Sequence, residues 1–288
     1  MSDLFSSFNS LGLGDLSGVD LYKEKETAVK RPEPAVVKEV IPLGEKDLLF
    51  DKTYTCPVCD EPFKNKTVRT GKNRLLRIER DLRQVYTPVD QVKYDVIACP
   101  HCGYAALGRY FDSPTRMQIE GVRKNICINY RPQKWGEECY SYEDAYLRYQ
   151  LALGNAIAKS SKSSEIAYIC LKMAWTLRGK REALDQTAPD YEQARKEHEA
   201  AEKECLQKAL DGFILARQKE GYPMCGMDEP TTDYLLAALA FEVGDLSTAS
   251  KMVSTVLTSR SASSHIKDKT RDLKEEIVEL VKKQAGKN

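Results

Sequence analysis

The spacing of apolar positions along this chain changes near residue 140, and the change divides it. From 141 onward apolar residues recur every three to four positions, the period of an amphipathic helix. Six helices are predicted there. The first is capped by Ser141, carries Glu143 and Asp144 in its first turn and runs through Ala158. The second opens at Ser164-Glu165 and ends near Arg178, with Ala167, Cys170, Ala174 and Leu177 on one stripe. A long third covers about 190–219, closed by Gly221 and Pro223. Thr232-Asp233 opens the fourth, which ends at Val243. Gly244-Asp245 is a tight turn, the fifth helix ends at Thr258, and Ser263/Ser264 opens a last one to Lys283.

Between about 46 and 98 the pattern is strand-like instead. Leu48-Leu49-Phe50 and Lys52-Thr53-Tyr54-Thr55 form one run. Thr67-Val68-Arg69-Thr70 and Arg74 to Glu79 read as two strands across a turn at Gly71, and Tyr94 to Ala98 forms a further strand. Ser113-Pro114 predicts an N-cap with proline at the first helical position, opening a helix to about Cys127. Residues 1–45 show neither period and are expected to be unfolded alone. Their apolar residues Leu4, Phe5, Phe8, Leu11, Leu13 and Leu16 lie among Ser, Gly and Asp, the composition of a short acidic docking segment that folds on a partner.

The helical half carries an internal echo. Ala209, Phe213 and Ala216 fall at steps of four and three, and Ala249, Val253 and Val256 repeat those steps 40 residues later. Small–large–small is what the second helix of a stacked helical hairpin needs. Leu236, Ala237 and Ala240 precede Gly244-Asp245 and Ala249 at tetratricopeptide-like offsets, with Ala240 in place of the usual aromatic. A plain amphipathic bundle shows a similar pattern.

Composition narrows the picture. A chain of 288 residues holds about two domains, and 42% hydrophobic residues supply a real core. The net charge of +1 means that a polyanion partner must be met by a local patch. No apolar run approaches the roughly 18 residues of a membrane span, and Met1 to Phe5 lack a basic leader, so a cytosolic protein is expected.

Chemistry concentrates in the cysteines, nine in all. Cys56-Pro57-Val58-Cys59 and Cys99-Pro100-His101-Cys102 are two Cys-x-x-Cys turns, each aiming two sulfurs at one point. Together they match the closed four-thiolate shell of one structural zinc ion. Pro57 and Pro100 preset φ for the turn, while Asp60 and Gly103 stand where such a knuckle needs positive φ. Redox dithiols, or one disulfide with two spare thiols, are the alternatives, but neither stretch runs into the helix of a thioredoxin-like motif. Four cysteines complete a zinc shell without His101. The 39 residues between Cys59 and Cys99 call for a hairpin or small sheet. Cys127, Cys139, Cys170, Cys205 and Cys225 have no pair spacing and read as buried thiols in a reducing compartment.

The segment 64–93 holds nine basic residues against three acidic ones. Arg69, Lys72, Arg74, Arg77, Arg80 and Arg83 are candidate polyanion contacts, so a nucleic-acid-binding zinc ribbon is the second functional expectation. Charged outer strand faces, and cations relieving a −2 thiolate site, give the same composition without function. No histidine stands in a triad-like arrangement with Ser or Cys, and no Gly-rich phosphate loop is present.

Thr55-Cys56-Pro57-Val58-Cys59, then Phe63-Lys64 and Val68-Arg69, and finally Cys99-Pro100-His101-Cys102-Gly103-Tyr104-Ala105-Ala106 resemble the hallmark of a bacterial family of uncharacterised proteins, domain of unknown function twenty-two twenty-five. The likeness covers about 46–285, and Asp60 departs from the glycine usual in ribbons. The resemblance implies a zinc ribbon joined to tetratricopeptide-like helices and implies no activity. The expected class is α+β: a tail over 1–45, a small β-rich zinc-ribbon domain over 46–130 and an all-α helical repeat over 131–288. The expected role is a non-enzymatic adapter in which one structural Zn2+ holds the ribbon and the concave face of the array takes a protein or peptide. Membrane binding is not expected, and oligomeric state is left open.

Overall fold

A computed structural model describes residues 43–69 and 71–285, within which Leu43 onward forms one compact unit. The tail expected over 1–45, with its docking segment, lies outside the described residues up to Pro42. The architecture is α+β, strands first and helices after.

The strands are short and form three antiparallel hairpins. β1 (Leu49–Thr55) pairs with β2 (Pro62–Val68), β3 (Arg74–Ile78) with β4 (Gln84–Thr87), and β5 (Val96–Ala98) with β6 (Ala105–Leu107). The turn predicted at Gly71 therefore does not join a hairpin. β2 turns back on β1 because the first knuckle sets Thr55 opposite Pro62, which fixes the register to Leu49 opposite Val68. β3 finds its partner further on, and the β3–β4 hairpin fills much of the space between the knuckles in sequence.

β5–β6 is the wall between two cores. Side chains alternate across a strand, and here they sort cleanly. Val96, Ala98, Ala105 and Leu107 join the large core shared with the helices, while Ile97 and Ala106 face the cysteine cluster. A third small core of Leu48, Leu49, Val89, Tyr94 and Tyr140 closes the far end of β1.

Helices follow. α1 (Gly108–Phe111) is one turn. α2 (Arg116–Val122) continues as a π-helical turn over Arg123–Cys127. Its cap is Thr115, not Ser113, because Thr115 and Gln118 form a reciprocal capping box that Ser113 lacks the spacing to make. α3 (Tyr142–Ala158) starts at Ser141 as predicted, with the Ser141 hydroxyl accepting from Asp144 N. α4 (Ser163–Glu182), α5 (Tyr191–Lys219), α6 (Glu229–Val243), α7 (Leu246–Thr258) and α8 (Ser264–Ala285) complete the array, each packing on the next. α6 begins three residues before the predicted Thr232: Asp228 accepts from Thr231 N and Pro230 sits in the first turn. Gly244 takes φ 94° between α6 and α7, where its missing Cβ removes the left-handed penalty. The repeated triplets Ala209, Phe213, Ala216 and Ala249, Val253, Val256 are all buried, on α5 and α7.

Candidate metal centre

Each knuckle occupies the bend of a hairpin, Cys56 to Cys59 between β1 and β2, Cys99 to Cys102 between β5 and β6. The two are built alike. Cys56 N donates to Glu61 O at 3.0 Å and Asp60 N to Cys56 O at 2.8 Å; Cys99 N donates to Tyr104 O at 2.8 Å and Gly103 N to Cys99 O at 3.1 Å. The residue after each second cysteine takes positive φ, 64° at Asp60 and 77° at Gly103. Hydrogen bonding of this kind leaves both sulfurs of a turn on one side.

The four sulfurs then meet. Cys56 Sγ lies 3.6 Å from Cys102 Sγ, Cys59 Sγ lies 3.7 Å from Cys99 Sγ, and all four stand within 4.8 Å of one another. A disulfide would need about 2.05 Å, and all nine cysteines are free. Four sulfurs about 2.3 Å from a common centre would sit about 3.75 Å apart at tetrahedral corners. The observed spacing thus fits a metal held by four thiolates. Without a cation the cluster favours one thiolate and resists further ionisation: hydrogen bonds from Cys102 and then Cys56 lower the Cys99 pKa strongly. At Cys56 the Cys102 contact, which lowers the pKa, is outweighed by Cys99 and burial; at Cys102, Cys56, Cys99 and burial all raise it. A divalent ion would let all four ionise. His101 is exposed on the second knuckle and outside the cluster.

The surroundings are buried and aromatic. Phe111 lies edge-on to Tyr54 at 5.9 Å and to Phe63 at 5.9 Å, and tilted to Tyr104 at 5.0 Å. Arg123 donates through Nε and Nη2 to Val58 O at 3.1 and 2.6 Å, placing a cation against the first knuckle. The Tyr130 ring covers Gly103 so closely that a Cβ there would come within 2.4 Å of it. Cys127, on the π-helical turn, joins the same core. Phe63 and Tyr104 belong to the family-like motif and Cys127 reads as a buried thiol, but Phe111, Arg123 and Tyr130 carry no signal in the sequence, since spacing reveals ligands but not what packs over them.

The basic segment does not assemble into one surface. Arg83 is buried, with Nη2 2.9 Å from Asp90 Oδ2 and Nη1 3.3 Å from Glu182 Oε2. Arg80 pairs with Glu242 at 2.5 Å and with Glu276. Arg77 pairs with Glu79 at 2.8 Å. Arg178, from α4, reaches Glu79 and Asp81, each at 2.8 Å, and Glu202 at 2.6 Å, tying the β3–β4 hairpin to α4 and α5. Arg178, Arg83 and Arg77 overcome burial and hold the Glu79 carboxyl below its usual range. Arg69 lies over the Phe50 ring, 5.3 Å from its centroid. Of the six candidates, Arg69, Lys72 and Arg74 remain without an ion pair among the described residues. No helix of the described residues is long and apolar enough to cross a membrane.

No curated protein matches this chain, and no solved structure does. A family model described as an uncharacterized protein conserved in bacteria (DUF2225) matches residues 49–277, which spans both knuckles and the helices through most of α8, and the chain belongs to that family.

Proposed function

We propose that this protein is a non-enzymatic adapter, in which one structural Zn2+ fixes the β region and the tetratricopeptide-like helices carry a protein or peptide partner. The observation that carries the metal half is the buried set of four sulfurs at tetrahedral spacing. Four protein ligands fill the coordination shell of zinc, so water finds no open position and the ion acts on folding rather than on a substrate. Cys56, Cys59, Cys99 and Cys102 would hold it.

Two features support the partner half. The helices stack as successive hairpins, an arrangement that offers an extended face. Every residue of β3 is exposed, including Leu75 at 42%, Leu76 at 54% and Ile78 at 38%. A two-stranded sheet leaves each strand an outer edge, and apolar side chains along such an edge invite pairing with another chain. Polyanion binding is the alternative. It would rest on Arg74 in that same strand, Lys72 just before it and Arg69 over the Phe50 ring, and it predicts a steep loss of affinity with salt.

Metal analysis of the purified full-length protein tests the first half. One zinc per chain, lost in Cys99→Ser, is the expected result; a redox-active disulfide pair or a metal other than zinc would overturn it. Crosslinking in the host cell, followed by titration of the purified crosslinked protein, tests the second. Saturable binding, weakened at least about tenfold by Leu76→Asp as expected of a buried apolar anchor, supports the adapter. Recovery of nucleic acid instead would favour the alternative.

A further inference from the structure

A cavity of about 480 Å³ opens where α1, the start of α4 and the loop between α5 and α6 come together. None of the four clustered cysteines lines it. Three cations do: Arg109, Lys159 and Lys162. Two carboxylates do as well, Glu165 and Glu220, and both are already engaged. Lys159 Nζ lies 3.1 Å from Glu165 Oε1. Glu220 accepts from Ser164 N at 3.1 Å and from the Ser164 hydroxyl at 2.5 Å, so it occupies the amide end of α4 itself. The Lys159–Glu165 pair is neutral, and Glu220 keeps its charge while hydrogen-bonded to Ser164, so Arg109 and Lys162, neither in an ion pair among the described residues, leave the lining with one net positive charge.

The place of Arg109 is built rather than incidental. Its guanidinium donates to Cys225 O, the carbonyl at the bend of the α5–α6 loop. It rests against Gly226, where φ is 83° and a Cβ would come within 2.9 Å of Nη2. A Cβ there would push the guanidinium tip aside. A guanidinium has five donors in a planar fork that matches an oxyanion bidentately, and one bond to a carbonyl leaves most of that fork free. Gln118 adds a donor: its Oε1 accepts from Thr115 N, which leaves its amide N–H groups for the cavity. Lys162 is exposed at the mouth, where a compact mobile charge meets an incoming anion.

We propose that this cavity binds a compact oxyanion, the carboxylate or phosphate group of a small ligand, with Arg109 as the fixed anchor and Lys162 as the mobile one. The site is independent of the metal and of the adapter role.

Titration of the full-length protein with inorganic phosphate and, separately, with acetate tests it, at low ionic strength and followed by amide chemical shifts. Saturable shifts at Ser164, Cys225 and Gly226 with either anion are expected, and which anion produces them identifies the group. Lys162→Gln, which breaks no internal bond, should weaken binding about threefold to tenfold, and Arg109→Gln by more than about tenfold. Arg109→Gln also loses the bond to Cys225 O, so the Lys162 variant decides if the Arg109 variant misfolds. Absence of saturation with both anions, shifts confined to other residues, or unchanged affinity in Lys162→Gln would each overturn the site.

Discussion

The β region and the helical array solve the same problem with different means. In the array, long helices bury whole faces: Leu235, Leu236, Ala237, Ala238, Leu239 and Ala240 on α6 are all inside. Burial on that scale is the main term that offsets chain entropy there. The β strands have three to seven residues, and most of β1 and all of β3 stay in water. Isolated two-stranded hairpins are marginal. Here β1–β2 and β5–β6 are pinned at their knuckle bends by the sulfur cluster, β5–β6 is backed by α3 and faces both cores, and β3–β4 is tied to α4 and α5 through Arg178. The contrast teaches where stability resides: local pinning in one region, area in the other.

Metal removal should give the largest effect. A structural zinc contributes roughly 10–16 kcal/mol of apparent binding free energy in small domains. A strong chelator, or Cys99→Ser, is expected to abolish hydrogen-exchange protection in β1, β2 and the knuckles while α5 to α7 stay protected. Helical circular dichroism would fall only modestly. Collapse of the whole helical signal would show instead that the β5–β6 wall transmits the loss and that the two regions are one cooperative unit.

The converse test is Phe213→Ala. Phe213 is wholly buried on α5 among helical residues. A cavity of that size costs about 3–5 kcal/mol. The thermal midpoint should drop sharply while metal content stays at its wild-type value. Loss of metal in this variant would break the comparison from the other side.

Arg148 joins the regions. It lies on α3 at 1% exposure, donates to Asn65 Oδ1 of β2 at 2.5 Å and to Val96 O of β5 at 2.6 Å, and stacks 4.4 Å from the Tyr140 ring centroid. Arg148→Met keeps much of the volume and strands two acceptors, a cost of about 2–3 kcal/mol. Unlike Phe213→Ala, it should also quicken metal loss to a chelator, because β2 and β5 both feed the knuckles.

These particulars show what was legible beforehand. Cysteine spacing, helix caps at Ser141 and the turn at Gly244-Asp245 are local, so a few neighbouring residues determine them. The partner of β2 was open for another reason: β1 ends six residues before it and β3 begins five residues after it, so spacing alone could not choose, and the knuckle register hands β2 to β1. Charge was misleading because its partners are distant. Counting along 64–93 gives a basic patch, yet Glu182, Glu242 and Glu276 arrive from distant helices, 99 to 196 residues away, to neutralise Arg77, Arg80 and Arg83. The Arg109 cavity likewise draws on separate stretches of the chain.

The smallest expected effect is the most discriminating of pinning itself. The two knuckles share hydrogen bonding and positive φ, but one uses Asp60 and the other Gly103. A left-handed conformation costs a residue with a Cβ roughly 1–2 kcal/mol, less for Asp, and glycine gives part of that back through the entropy of its unfolded chain. Asp60 is exposed, so its side chain loses no packing on removal. Asp60→Gly should therefore stabilise the first knuckle by at most about 1 kcal/mol, read as slower metal transfer to a competing chelator. Gly103→Ala should move the same readout the other way and further, since its Cβ meets the Tyr130 ring as well as the φ penalty. If Asp60→Gly instead speeds transfer, the Asp60 carboxylate contributes something beyond shape, and the two knuckles are alike in backbone but not in role.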